Sequence, residues 1–143
     1  MKTGLSIRDF SSDDYDSLLE LWKITELGGK ERGDDLHIIM QTIDRGGRLL
    51  VMAGMDGSVI GSSWLSHDGR RMYIHHFAIH PDYQGNGLSK LLMDRSMDYC
   101  REVGLQVKIE VHDTNIKALN LYDDYGFKRL DDYGVYIIRN IKK

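Results

Sequence analysis

A glycine-containing loop between a strand-like run and a helix-like run constrains the fold of this chain most strongly. The strand-like run ends at Ile79, residues 84–90 read QGNGLSK, and a helical pattern begins at Leu88. Gly85 and Gly87 lack the side chains that would keep a phosphate away from main-chain N–H groups. The N–H groups at the start of the helix add partial positive charge. We therefore expect an α/β domain whose strand–loop–helix unit binds a phosphate.

Two common phosphate-binding loops do not match this one. A dinucleotide-binding loop would require glycine where Lys90 stands, and a nucleotide-hydrolysing loop would require a Gly-Lys-Ser/Thr sequence. A plain glycine-rich turn is the structural alternative, because glycine is the usual residue of such turns.

Patterns of apolar residues predict the remaining elements in the order β-α-α-β-β-β-α-β-α-β-β. A meander followed by strand, helix, strand and helix implies a mixed α/β sheet with helices on both faces. We expect one domain over residues 1–143, closed by a hairpin of its last two strands. The predicted strands cover residues 5–10, 49–55, 59–66, 72–79, 107–111, 127–130 and 135–141.

Composition excludes some classes of function. A net charge of −3 disfavours a general nucleic-acid binder, and no apolar stretch has the roughly 20 residues that span a bilayer. Cys100 is the only cysteine, which excludes an internal disulfide and favours a small buried side chain. The N-terminus does not resemble a signal peptide, so we expect a cytoplasmic protein. His75 and His76 are adjacent on a strand, and we expect them to point to opposite faces and to form no metal site.

A second motif lies about thirty residues after the loop. Asn115, Ala118, Tyr122 and Tyr125 share one face of a predicted helix, with Asn115 as its N-cap. Gly126 follows at the end of that helix and fixes the direction of the tyrosine side chain. The structural alternative is that this face simply packs on the sheet.

The two motifs together resemble the signatures of the Gcn5-related N-acetyltransferases (GNAT). The runs concerned are FAIHPDYQGNGLSKLL at residues 77–92 and NIKALNLYDDYGF at residues 115–127. The resemblance implies the GNAT fold, acetyl-CoA as co-substrate, an amine acceptor and no metal. Ser89 departs from it, because the family usually has glycine or alanine there. The residues it assigns to the cofactor are Phe77, Ala78 and Ile79 for pantetheine, Gln84, Gly85, Asn86, Gly87, Leu88, Ser89 and Lys90 for pyrophosphate, and Asn115 and Tyr122 near the thiol.

Aminolysis of a thioester requires a base for the amine and an acid for the departing thiolate. Tyr122 is the predicted acid. Glu110 is the predicted base, since strand alternation groups it with Lys108 and His112. The run Ile109-Glu110-Val111 also resembles bacterial and archaeal protein N-terminal acetyltransferases, in which the matching glutamate is taken as the base. An ion pair of Glu110, a water relay, and His75 or His76 as base stay open alternatives.

The leading hypothesis is an acetyl-CoA-dependent N-acetyltransferase that works through a ternary complex. The acceptor is either a protein N-terminus or lysine, or a small amine. A non-catalytic acyl-CoA-binding sensor or interaction module on the same fold is the alternative. We expect no nucleic-acid partner and no membrane association, and a homodimer stays open.

Overall fold

The computed structural model describes residues 4–141. The chain divides into two compact units, Met1–Ile109 and Glu110–Lys143. The first unit holds a five-stranded sheet and three helices. Its strands are β1 (Ser6–Asp9), β2 (Arg48–Ala53), β3 (Val59–His67), β4 (Arg71–Ile79) and β5 (Gln106–Ile109), and its helices are α1 (Tyr15–Ile24), α2 (Leu36–Asp44) and α3 (Leu88–Val103).

The strands lie side by side in chain order, from β1 to β5. The first four pair antiparallel, and β5 pairs parallel to β4 after the crossover through α3. This arrangement confirms the predicted mixed sheet and its central meander. It also places the loop before α3 at the C-terminal end of β4, which is the edge where α/β sheets bind ligands.

Side chains of the sheet pack against helices on both faces. Trp64 of β3 belongs to a buried cluster with Trp22 of α1 and Ile39 of α2. The preceding residue, Ser63, points the other way and accepts a hydrogen bond of 2.7 Å from Ser96 of α3. The predicted helices on both faces of the sheet are therefore confirmed.

The second unit contains one helix, α4 (Ile116–Asp124). The predicted closing hairpin is wrong, since no strand follows Ile109 in the part of the chain that the structure describes. The large apolar side chains between residues 130 and 141 are exposed, from 58% at Leu130 to 94% at Tyr136. Alternation and β-branched residues identify a segment that is able to form a strand, but a strand gains its hydrogen bonds only from a neighbour.

Strand β5 is also shorter than predicted. It ends at Ile109, so Glu110 and His112 lie in the segment between β5 and α4 rather than on the strand. The alternation that grouped these two side chains with Lys108 therefore does not apply to them. His112 instead accepts a hydrogen bond of 3.3 Å from the main-chain N–H of Thr114.

Candidate active site

The loop before α3 has the backbone that its glycines predict. Gly85 and Gly87 have φ angles of 85° and 75°, in the left-handed region that favours glycine. A side chain built on Gly85 would meet no atom within 4 Å, so the space above its main chain is open. Gly87 is the N-cap of α3 and makes no side-chain cap hydrogen bond. The N-cap residue therefore supplies no side-chain cap to the first N–H groups of this helix, which is compatible with an anion site.

The amide side chains of this loop hold its own backbone. Gln84 donates from Nε2 to the carbonyl oxygen of Ile79 at 2.9 Å, and Asn86 donates from Nδ2 to that of Tyr83 at 3.3 Å. Sequence reasoning had assigned the Gln84 amide to the ligand. In the structure this amide instead ties the loop to the end of β4.

The C-terminal half of β4 extends beyond its neighbour. Pairing with β5 covers Arg71 to Ile74 only, while β4 continues to Ile79. The side chains of Ala78 and Ile79 are buried, which directs this part of the strand into the core. A strand edge of this kind can receive an extended ligand through main-chain hydrogen bonds.

A bulge interrupts β4 at His76. Its φ angle of 45° is left-handed, and the register to β3 shifts between Ser62 and Trp64. The imidazoles of His75 and His76 both lie 5.8 Å from the ring of Trp64. The prediction that these two side chains point to opposite faces is therefore wrong, because a bulge breaks the alternation of a strand.

A chain of hydrogen bonds connects this bulge to α1. Trp22 donates from Nε1 to the hydroxyl of Ser62 at 2.9 Å, and that hydroxyl donates to the carbonyl oxygen of His76 at 2.6 Å. The imidazole of His76 lies 2.7 Å from the carboxylate of Asp34, measured from Nε2 to Oδ2. No sequence signal joined these residues, since Asp34 and His76 are 42 positions apart.

The neighbouring His75 has a different environment. Its Nε2 lies 2.8 Å from the hydroxyl of Ser66, and its ring stacks on Tyr73. Burial lowers the pKa of His75, and the adjacent His76 lowers it further. This imidazole is therefore neutral at pH 7.

A cavity of about 760 Å³ opens between the end of α1 and the segment that follows it. Trp22 and Leu27 supply apolar lining, and charged side chains of both signs line it as well, among them Glu26, Glu31 and Arg32. The cavity can hold a small amine or the end of a polypeptide.

Gly28 lies where the cavity wall meets the Asp34–His76 pair. A Cβ at this position would lie 2.8 Å from Cε3 of Trp22 and 3.0 Å from Nε2 of His76. We expect Gly28→Ala to lower the free energy of unfolding by about 1–3 kcal/mol more than Gly33→Ala does, because overpacking adds to the backbone strain. Gly33 is the matched control, because its φ is 86° and a Cβ added there would meet no atom within 4 Å. If urea unfolding gave the same loss of unfolding free energy for both variants, the close packing around Gly28 would be contradicted.

The second unit presents Tyr122 near the end of α4. Asn115 caps this helix, accepting a hydrogen bond from the N–H of Ala118 at 3.2 Å, as predicted. At the other end, Gly126 has a φ of 89°, and Phe127 donates from its N–H to the carbonyl oxygen of Tyr122 at 3.1 Å. This is the Schellman motif with its accompanying apolar contact. It explains the spacing of the second signature.

Tyr122 itself is 7% exposed, and its ring meets that of Phe127 at 5.8 Å. Burial raises its pKa to about 12. The phenol therefore holds its proton at neutral and moderately alkaline pH, as a proton donor must. Glu110, the predicted base, is exposed between β5 and α4.

Other candidate groups carry no chemistry. Cys100 is buried, and burial raises the pKa of its thiol to about 11, which confirms its expected role as a small core residue. Within residues 4–141, no cluster of three or more histidine, cysteine or acidic side chains is arranged to hold a metal ion. None of the helices in this range combines the length and apolar character of a membrane span.

Known proteins share this sequence pattern and this fold. The family described as acetyltransferase (GNAT) matches residues 15–127. An acetyltransferase of Yersinia pestis is 24% identical over 89% of this chain and 90% of its own length. An acetyltransferase of Streptococcus agalactiae superposes with a TM-score of 0.81 at 22% identity, over 95% of this chain and 92% of that one.

A GNAT family acetyltransferase of Elizabethkingia anophelis, solved with acetyl-CoA bound, superposes with a TM-score of 0.62 at 20% identity. That superposition covers 89% of this chain and 78% of the other. The family match spans most of the chain, and it includes the loop before α3 and the capped helix α4. The chain therefore belongs to the acetyltransferase (GNAT) family.

Proposed function

We propose that this protein transfers an acetyl group from acetyl-CoA to a primary amine by direct attack in a ternary complex. The observation that carries this proposal is the uncapped start of α3 behind Gly85 and Gly87, at the end of a β4 edge that β5 leaves uncovered. A diphosphate and an extended thioester arm are the two parts of a ligand that fit such a pair of features.

The cofactor roles follow from this arrangement. Main-chain N–H groups of residues 85–90 hold the pyrophosphate, and the exposed Lys90 adds a positive charge in the first turn of α3. Pantetheine lies along Phe77, Ala78 and Ile79. The bound acetyl-CoA of the Elizabethkingia relative supports the choice of this co-substrate.

The chemical roles are assigned to few side chains. Tyr122 protonates the departing thiolate, and the high pKa of its phenol keeps the proton available. Asn115 lies near the thiol end of the cofactor. For the base, the resemblance implies Glu110.

The acceptor enters through the cavity beside α1. Two classes of acceptor fit its size, a protein N-terminus or lysine and a small amine. The motif spacing around Glu110 favours the polypeptide acceptor, and the charged side chains of both signs in the cavity wall are compatible with either class.

Thermal unfolding tests cofactor binding. At acetyl-CoA concentrations a hundredfold above Kd, the native state should gain about 2.7 kcal/mol and the melting temperature should rise. An unchanged melting temperature at millimolar acetyl-CoA would contradict the proposal.

A thiol-release assay over peptides, polyamines, amino acids and aminoglycosides then tests catalysis and identifies the acceptor class. A rise in melting temperature together with an absence of turnover on every amine would instead support the acyl-CoA sensor.

A further inference from the structure

His76 has a φ of 45°, a backbone conformation that is uncommon for residues other than glycine. A non-glycine residue with left-handed φ costs about 1–3 kcal/mol and persists only where its surroundings impose it. The hydrogen bonds from Trp22 to Ser62, and from Ser62 to the His76 carbonyl, supply that constraint here. Strained residues of this kind cluster at active sites, where they orient a side chain. Here the imidazole of His76 lies against the rings of Trp22 and Trp64.

The carboxylate of Asp34 defines which nitrogen of His76 carries the proton. An ionised carboxylate only accepts hydrogen bonds, so the 2.7 Å contact requires a proton on Nε2 of the neutral ring. The lone pair is then on Nδ1, and the contact with Asp34 is the one hydrogen bond of this ring among the side chains that the structure describes. Both side chains are mostly buried, with 18% of His76 and 16% of Asp34 exposed. A carboxylate and an imidazole in this relation form the orienting half of a catalytic triad.

Two residues in the wall of the cavity beside α1 connect it to this pair. Trp22 and Gly28 line that cavity, and both contact the pair. The absence of a side chain at Gly28 is what allows the main chain to approach the imidazole so closely. Glu110, in contrast, lies beyond the end of β5 and is exposed.

We propose that His76 is the general base of the transfer reaction and that Asp34 is its positioning residue. Nδ1 of His76 takes a proton from the acceptor nitrogen, whose electron pair forms the bond to the thioester carbonyl carbon. The carbon–sulfur bond breaks, its electron pair leaves on sulfur, and Tyr122 supplies the proton of the thiol. The second proton that the acceptor nitrogen loses returns through water to the Tyr122 phenolate. Asp34 stabilises the imidazolium, which returns its proton to water. This inference rests on the proposed function.

Two kinds of nucleophile separate a base from a structural residue. Spermidine and an unblocked pentapeptide are protonated at pH 7 and require a base, whereas hydroxylamine is largely unprotonated and does not. We expect His76→Asn to lower kcat for the protonated amines by about a hundredfold and to leave the rate with hydroxylamine nearly unchanged. Asparagine tolerates left-handed φ, so this variant preserves the bulge. His112→Asn is the matched control.

The positioning role of Asp34 has its own readout. We expect Asp34→Asn to lower kcat more than it changes KM, and the nitrogen chemical shifts of the His76 ring to lose their preference for the Nε2–H form. Two results would overturn the assignment of His76 without affecting the proposed acetyl transfer. The first is a wild-type His76 ring that carries its proton on Nδ1 at pH 8. The second is a His76→Asn variant in which the rates with both nucleophiles fall equally, or in which neither rate falls. A larger loss in Glu110→Gln than in His76→Asn would do the same. A wild-type protein that acetylates no nucleophile would remove the proposed function itself, and this inference with it.

Discussion

Replacing Tyr122 with phenylalanine is expected to lower kcat by about a hundredfold or more, because the departing thiolate loses its proton donor. The affinity for acetyl-CoA should stay unchanged. The substitution removes one hydroxyl group and keeps the ring that packs against Phe127. Steady-state thiol release gives kcat, and calorimetric titration gives the cofactor affinity.

Tyr125→Phe is the control for this variant, since it removes a hydroxyl group from the C-cap of the same helix. The pH dependence adds a second check. Because the pKa of Tyr122 is raised to about 12, its deprotonation should cause no loss of wild-type activity at moderately alkaline pH. A Tyr122→Phe enzyme with unchanged kcat would refute the acid role and favour the sensor hypothesis.

Gly85→Ala is expected to weaken acetyl-CoA binding by roughly ten- to a hundredfold, which corresponds to the loss of about one hydrogen bond to a charged group. The new methyl group would occupy the open space above the loop, where the pyrophosphate is proposed to lie. It would meet no protein atom there, so steric clash within the protein does not contribute.

Gly57→Ala is a matched control for backbone strain. Gly57 lies in the turn between β2 and β3 with a φ of 84°, against 85° at Gly85, and neither position has an atom within 4 Å of the added Cβ. Both variants should therefore lose similar free energy of unfolding, and only Gly85→Ala should lose cofactor affinity. Equal dissociation constants for the two variants would show that the loop does not bind the cofactor.

Local signals predicted most of the fold correctly. The glycine loop before α3 and the Asn115 cap of α4 both appear in the structure. Each of these features depends on residues close together in the chain, so its physical cause is visible in a short window. The second signature is of the same kind, because Gly126 and Phe127 build a local helix cap around Tyr122.

Local sequence patterns did not predict the bulge at His76. Left-handed φ is uncommon for any residue other than glycine, and strict alternation predicted that His75 and His76 would diverge. Packing against Trp22 and Ser62 overrides both preferences. The prediction of the closing hairpin was wrong for a different reason. Residues 127–141 have a strand-like composition, but they form no strand in the described part of the chain.

The amino-acid order alone predicted the glycine loop and helix start at which a phosphate is proposed to bind, because these features depend on residues close together in the chain. It also determined the order of strands and helices through Ile109 and the family of the chain. Only the tertiary structure brought Asp34 to His76, across 42 positions, and turned both imidazoles toward one tryptophan. Contacts between distant segments arise from the packing of whole elements, and packing can stabilise a backbone conformation that no local preference favours.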